Sequence, residues 1–164
     1  MKRKLLIALF FLLSACSSHQ VSTSEQTLYE RVQTAIRTHE TKYLSDSEYE
    51  KIAIYMSEGK SRWIALYPEF QDRPFISMTS FQEGLNISMA YALSENPEET
   101  LKFIDKNNVG EICGVPFIEP TEAEIDSYYL KTRAALMAQG LQGQWREKCL
   151  SVLNTTMRKS RLTD

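Results

Sequence analysis

The chain has 164 residues, of which 43% are hydrophobic and 24% are charged, and its formal net charge is −2. That length suits one domain with a substantial core, and the hydrophobic content excludes a chain that is disordered throughout. A slightly acidic chain lacks the basic surface that nucleic acids attract, so we expect no nucleic-acid partner.

The first fifteen residues have the pattern of an export signal. Lys2, Arg3 and Lys4 form a positive start, residues 5–13 are an unbroken apolar run, and small residues follow. The apolar run is far shorter than the ~20 residues that a membrane-spanning helix needs. We therefore predict that residues 1–15 are a cleaved signal peptide and not a permanent membrane span.

The end of this signal carries a second motif, because Leu13-Ser14-Ala15-Cys16 resembles the lipobox of bacterial lipoproteins. The resemblance implies cleavage before Cys16, whose sulfur carries the lipid and which becomes the first residue of the mature protein. A serine after the cysteine, here Ser17, usually permits sorting to the outer membrane in that family. We expect a lipid anchor there, with the domain facing the periplasm. The alternatives are the periplasmic face of the inner membrane, and an ordinary exported protein with a chance cysteine.

Residues 16–24 are polar and aperiodic, which predicts a flexible tether ahead of one helical domain at residues 25–160. With Cys16 lipidated, Cys113 and Cys149 are the remaining cysteines. An even pair in an oxidising compartment favours a disulfide between them. Two buried free thiols are the alternative.

Helix start signals recur along this domain. Capping-box patterns begin at Ser22, Ser45 and Thr121, and Asn96 followed by Pro97 is a further helix start. Apolar residues recur at helical spacing behind these signals and in two other segments. The predicted inward faces are Leu28, Val32, Ala35 and Ile36; Tyr49, Ile52, Ala53 and Met56; Met78, Phe81, Leu85, Met89 and Ala92; Leu101 and Ile104; Ile125, Tyr129, Thr132 and Leu136; and Trp145, Cys149, Val152, Leu153 and Met157.

A further short helix is predicted around Trp63 and Leu66. It ends before Pro68, because proline disfavours helical backbone at the preceding residue. Residues 75–79 and 112–118 have enough β-branched and aromatic character for a minor two-stranded ribbon. The expected fold class is all-α: a single compact orthogonal bundle of six or seven short helices, with that possible ribbon and one disulfide.

The sequence shows no catalytic constellation. His19 and His39 are the only histidines, and neither has an evident packed site beside a nucleophile. Too few cysteines and histidines remain for a structural zinc site. We therefore expect no catalytic residue, no metal and no cofactor.

One enzymatic alternative stays open, a cell-wall glycan hydrolase that uses a single glutamate with a raised pKa as its acid. The carboxylates available for it are Glu95, Glu98, Glu99, Glu119, Glu122, Glu124 and Asp126. Their positions at helix starts favour capping instead, since acidic groups there complement the helix dipole.

The segment that follows Cys113 is the most distinctive part of the domain. It contains Val115, Pro116, Phe117 and Ile118, and its glycines and prolines predict a shaped loop. A disulfide would pin this loop to the last helix, and a rigid loop with apolar tips suits partner recognition. The alternative is a plain connection that places Phe117 in the core.

Residues 59–120 resemble small secreted helical proteins without an assigned activity, a resemblance that transfers no functional residue. The general build also resembles periplasmic immunity proteins, which block an incoming toxic enzyme. We therefore expect a membrane-tethered binding, immunity or envelope-accessory protein, and not an enzyme, with a toxin or another envelope protein as partner. Trp63, Tyr67 and Phe70 are expected in the core, the alternative being a sugar-stacking platform.

Overall fold

The computed structural model describes residues 23–117 and 120–161. The signal peptide, Cys16, Ser17, His19, the tether up to residue 22, Ile118 and Glu119 lie outside the described residues. Within the described ranges the chain forms nine α-helices and no strand, which confirms the predicted all-α class. The helices are α1 Thr23–Thr38, α2 Asp46–Ser57, α3 Ser61–Ile64, α4 Tyr67–Phe70, α5 Thr79–Glu95, α6 Pro97–Thr100, α7 Val109–Ile112, α8 Glu122–Leu136 and α9 Gln144–Ser160, and a 3-10 turn at Leu101–Phe103 continues α6.

Three of the four predicted helix starts are visible as hydrogen bonds, and the capping box predicted at Ser22 begins at a residue outside the described part of the chain. The backbone N–H and hydroxyl of Ser45 both donate to the Glu48 carboxylate at 2.9 Å, and Thr121 donates to Glu124 in the same way at 2.8 and 2.7 Å. The Asn96 side chain accepts the backbone N–H of Glu99 at 3.3 Å. These side chains satisfy polar groups that a helix end otherwise leaves without an intrahelical partner.

The segment around Trp63 differs from its prediction. Two single-turn helices, α3 and α4, replace one short helix, and Pro68 lies in the first turn of α4. Proline is tolerated there because the first residues of a helix need no N–H for an intrahelical bond. The proline therefore starts a second turn instead of only ending the first.

Helix α5 is the centre of the fold. It packs against α2, α6, α7 and α8. Trp63, Tyr67, Phe70 and Phe75 are fully or almost fully buried in the core, which confirms the core interpretation of the first three over a sugar-stacking platform. The centroid of the Phe70 ring lies 5.1 Å from that of Phe75 and 5.3 Å from that of Phe81. Both pairs have the edge-to-face geometry that aromatic rings prefer.

The considered two-stranded ribbon is not formed in the described parts of its two segments. The backbone N–H groups of Phe75 and Ile76 donate to the Asp72 carbonyl at 2.9 and 3.0 Å, so turn bonds take the place of a strand ladder. Phe75 and Ile112 are both fully buried. Their apolar character therefore serves the core between helices and not a sheet. None of the described helices is long and apolar enough to span a bilayer.

Candidate functional site

A disulfide between Cys113 and Cys149 joins the end of α7 to the middle of α9, as predicted. The two Cα atoms are 4.9 Å apart, and both cysteines are fully buried. Gly114 follows directly, and a Cβ atom at this position would lie 2.9 Å from the Gly110 carbonyl oxygen. The start of the candidate loop is therefore fixed by a covalent bond and by a close backbone approach.

The described part of the candidate loop packs against the helices of the domain. Val115, Pro116 and Phe117 are each partly buried. The Phe117 ring lies 5.6 Å from that of Tyr128 and 6.0 Å from that of Tyr91. Phe117 therefore has the packing role that the alternative gave it, while the loop still presents apolar surface to solvent. Its role in partner recognition stays a prediction.

The base on which Phe117 rests is a pair of tyrosines, Tyr128 and Tyr91. The Tyr128 hydroxyl donates to the Ala90 carbonyl at 2.9 Å, which ties α8 to α5. Burial raises the pKa of the Tyr128 phenol and, less deeply, that of the Tyr91 phenol, so both rings stay neutral. The neighbouring Tyr129, which the helical spacing predicts to face inward, is half-buried, and Tyr128 is the core residue.

A second organised cluster surrounds Glu25, which sequence reasoning missed. Its carboxylate accepts the Trp63 indole N–H at 2.9 Å and a hydrogen bond from Lys60 at 2.7 Å, and it lies 3.3 Å from the Arg62 Nε. Burial of the carboxyl opposes ionisation, but the hydrogen bonds from Lys60 and Trp63 and the two positive charges outweigh it, so the pKa of Glu25 is lowered. One signal was available: Glu25 falls on the same helical face as Leu28 and Val32.

Four of the seven acidic residues that were available for catalysis are engaged elsewhere. Glu124 caps α8, Glu95 pairs with Lys131, Glu99 pairs with Lys102 and Asp126 pairs with Arg161. Glu95 and Glu98 line a cleft of about 880 Å³ between the start of α6 and the turn at residues 138–142. Glu122 and Asp126 line a smaller cleft of about 280 Å³ at the start of α8.

The described residues that could take part in metal or imidazole chemistry are not grouped together. His39 lies just after α1, with its Nδ1 3.4 Å from the Arg73 carbonyl oxygen. Among the described residues, no three histidine, cysteine or carboxylate side chains are grouped as metal ligands would be. Comparison of the chain with models of known families, with curated proteins and with solved structures found no match.

Proposed function

We propose that this chain is a lipid-anchored protein of the bacterial envelope that acts by binding another protein and not by catalysis. The observation that carries the anchor is the lipobox-like sequence Leu13-Ser14-Ala15-Cys16, which ends seven residues before Thr23, where α1 begins. The disulfide between Cys113 and Cys149 supports the same address, because such bonds persist in oxidising compartments. The anchor belongs to the outer membrane, with the domain in the periplasm.

The binding surface in this proposal is the loop that begins at Cys113 and continues through Val115, Pro116 and Phe117. The disulfide at one end and the contacts of Phe117 with two tyrosines limit its conformations before binding. A loop that is already ordered loses less conformational entropy when a partner binds, so more of the contact energy appears as affinity. A toxin that the protein neutralises, or a component of an envelope assembly, is the kind of partner proposed.

The described carboxylates support binding over hydrolysis. A glycan hydrolase needs one glutamic acid whose pKa is raised so that it is protonated near neutral pH. The glutamates with a shifted pKa in the described part of the chain are Glu25, Glu48 and Glu124, and all three shifts are downward. Burial opposes the shift at Glu25 and Glu48, and hydrogen bonds from neighbouring groups outweigh it; Glu124 is lowered by its bonds to Thr121.

The anchor is tested by comparing the full chain with its Cys16→Ser variant in cells. Serine has no thiol to alkylate, so the variant lacks the lipid. We expect the unchanged chain to incorporate labelled fatty acid and to fractionate with the outer membrane, and the variant to carry no label and to be lost from that membrane. Labelling of Cys16→Ser, or an unchanged chain without label, would contradict the lipid anchor.

The binding role is tested with a photo-activatable amino acid placed at Pro116 and, as a control, at Ile54 on α2, which is 53% exposed. We expect a discrete covalent adduct in intact cells from position 116 and none from position 54. Equal labelling at both positions would count against the loop. If the protein degraded purified peptidoglycan and one Glu→Gln change abolished that activity, hydrolysis would replace binding as the proposed function.

A further inference from the structure

Helix α8 presents exposed apolar residues, separated by polar and charged ones, on the side that faces away from the core. We call this side the outer face of α8, and it consists of Ala123, Asp126, Ser127, Leu130, Arg133, Ala134 and Met137, which directly follows the helix; all seven are exposed. Leu130 is 65% exposed and Met137 is 50% exposed. They are seven residues apart, which is two helical turns or about 10.5 Å along one side.

No other described helix presents two large exposed apolar side chains in this way. The remaining examples among the described residues are Tyr43, Ile54 and Ile76, each in a different segment. Single exposed apolar residues are normal on protein surfaces, whereas Leu130 and Met137 lie two turns apart on one side of α8 and the residue that follows it.

The charges on the outer face are arranged around Leu130. Asp126 lies one turn before Leu130, and Arg133 lies about one turn after it. Asp126 accepts a hydrogen bond from Arg161 at 3.0 Å, but both side chains remain more than half exposed. Such a surface pair contributes little and leaves the carboxylate accessible to a second cation.

We propose that the outer face of α8 binds a second copy of this chain, with the two α8 helices antiparallel and Leu130 on the twofold axis. In this arrangement Leu130 contacts Leu130 of the second copy, and Met137 covers its Ala123. Arg133 lies beside Asp126 of the second copy, and the symmetry repeats each of these contacts. Two antiparallel helix dipoles add a favourable term.

The charge order selects this orientation. A parallel pair with the same Leu130 contact would place Asp126 against Asp126 and Arg133 against Arg133, and like charges in contact are unfavourable. One helix face is smaller than the ~800 Å² per partner of a stable interface, so the dimer is weak and exchanges rapidly. Covalent trapping is therefore the suitable measurement. The proposal depends neither on the lipid anchor nor on the loop after Cys113.

The test uses the full chain in cells, treated with a mild oxidant and separated without reductant. Leu130→Cys places a thiol on the twofold axis, where it meets its own counterpart within disulfide reach. Met137→Cys is the matched control, since it is exposed on the same face but lies about 21 Å from its counterpart in the antiparallel pair. The unchanged chain reports any dimer formed through its native cysteines.

We expect a reduction-sensitive dimer from Leu130→Cys and only background from Met137→Cys. Adding Arg133→Asp to Leu130→Cys should reduce the trapped dimer roughly tenfold through charge repulsion. Adding Asp126→Arg as well should restore it, because the opposite charges are then exchanged and not removed. Helical circular dichroism checks that each variant remains folded.

Three outcomes would overturn the proposal. Equal trapping at positions 130 and 137 would mean a parallel or non-specific contact. An adduct of another mass at position 130 would assign the outer face of α8 to a different protein. The antiparallel pair would also be excluded if Leu130→Cys gave no dimer, or if the double charge exchange failed to restore it.

Discussion

The indole N–H of Trp63 donates to the carboxylate of Glu25 at 2.9 Å, although 38 residues separate the two along the chain. Trp63 is fully buried and Glu25 is 6% exposed, so this bond lies inside the domain. It fastens the first turn of α1 to α3. Lys60 and Arg62, on either side of this short helix's start, supply the positive charges that make a buried carboxylate tolerable.

Replacing this carboxylate by an amide tests the cluster. Glu25→Gln keeps the size of the side chain and an oxygen for Trp63, but it leaves Lys60 and Arg62 without their counter-charge. Both cations are about one-quarter to one-third exposed, so water partly screens them and reduces the free-energy cost of losing the carboxylate. We expect the free energy of unfolding to fall by about 1–2 kcal/mol in urea titrations. Glu50→Gln, at an exposed position on α2, is the control and should change it by less than about 0.5 kcal/mol.

The same cluster predicts a pH dependence with a definite sign. The pKa of Glu25 is lowered from its usual value of 4.5 in the folded state, so folding favours the ionised form. Its contribution is therefore complete above the unfolded pKa and is lost as the pH falls through the folded one. The stability difference between the unchanged chain and Glu25→Gln should be constant at pH ~6–8 and should narrow below pH ~4.5. A difference that persists undiminished at pH ~2 would contradict this.

Two glycines give opposite predictions for the same substitution. Gly59 has φ +73°, and a Cβ there would lie 2.7 Å from the Glu95 Cβ, so Gly59→Ala should destabilise by at least about 1–2 kcal/mol. Gly84 lies within α5 with nothing near its missing Cβ, so Gly84→Ala should stabilise by about 0.5–1 kcal/mol. Thermal unfolding of both variants measures this. Equal signs for the two would contradict the geometry.

The disulfide should contribute a large part of the stability. Cys113 and Cys149 are 36 residues apart, and closing a loop of this length stabilises by about 3–4 kcal/mol on the chain-entropy model. The variant with both cysteines replaced by serine should unfold at correspondingly lower urea concentration. It should also be insensitive to reductant, whereas the unchanged chain, once reduced, should move towards it. An unchanged unfolding midpoint after complete reduction would contradict the prediction.

How far the sequence determines the structure is clearest at helix starts. The capping boxes at Ser45 and Thr121 are local, since each needs only residues three positions apart, and both were predictable. The prediction at Pro68 was wrong because it considered only the effect of proline on the residue before it. In the structure Pro68 lies in the first turn of α4, where proline is tolerated.

Contacts between residues far apart in the sequence were the part of the candidate site that was harder to predict. Tyr128 and Tyr129 are adjacent tyrosines on one helix, and the helical spacing to Thr132 and Leu136 fits either. The structure buries Tyr128, whose hydroxyl donates to the Ala90 carbonyl on α5. The Glu25 cluster likewise depends on α3 packing beside α1, which no local pattern contains. The Cys113–Cys149 pair was predictable because few cysteines remain to combine.

The central claim is that the mature protein begins at a lipid-modified Cys16, and intact-mass spectrometry of the chain purified from its native membrane tests it most directly. We predict the mass of residues 16–164, reduced by the internal disulfide's two hydrogens and increased by a diacylglyceryl group with or without a further acyl chain. A chain that retains residues 1–15, or an N-terminal cysteine without lipid, would contradict the account.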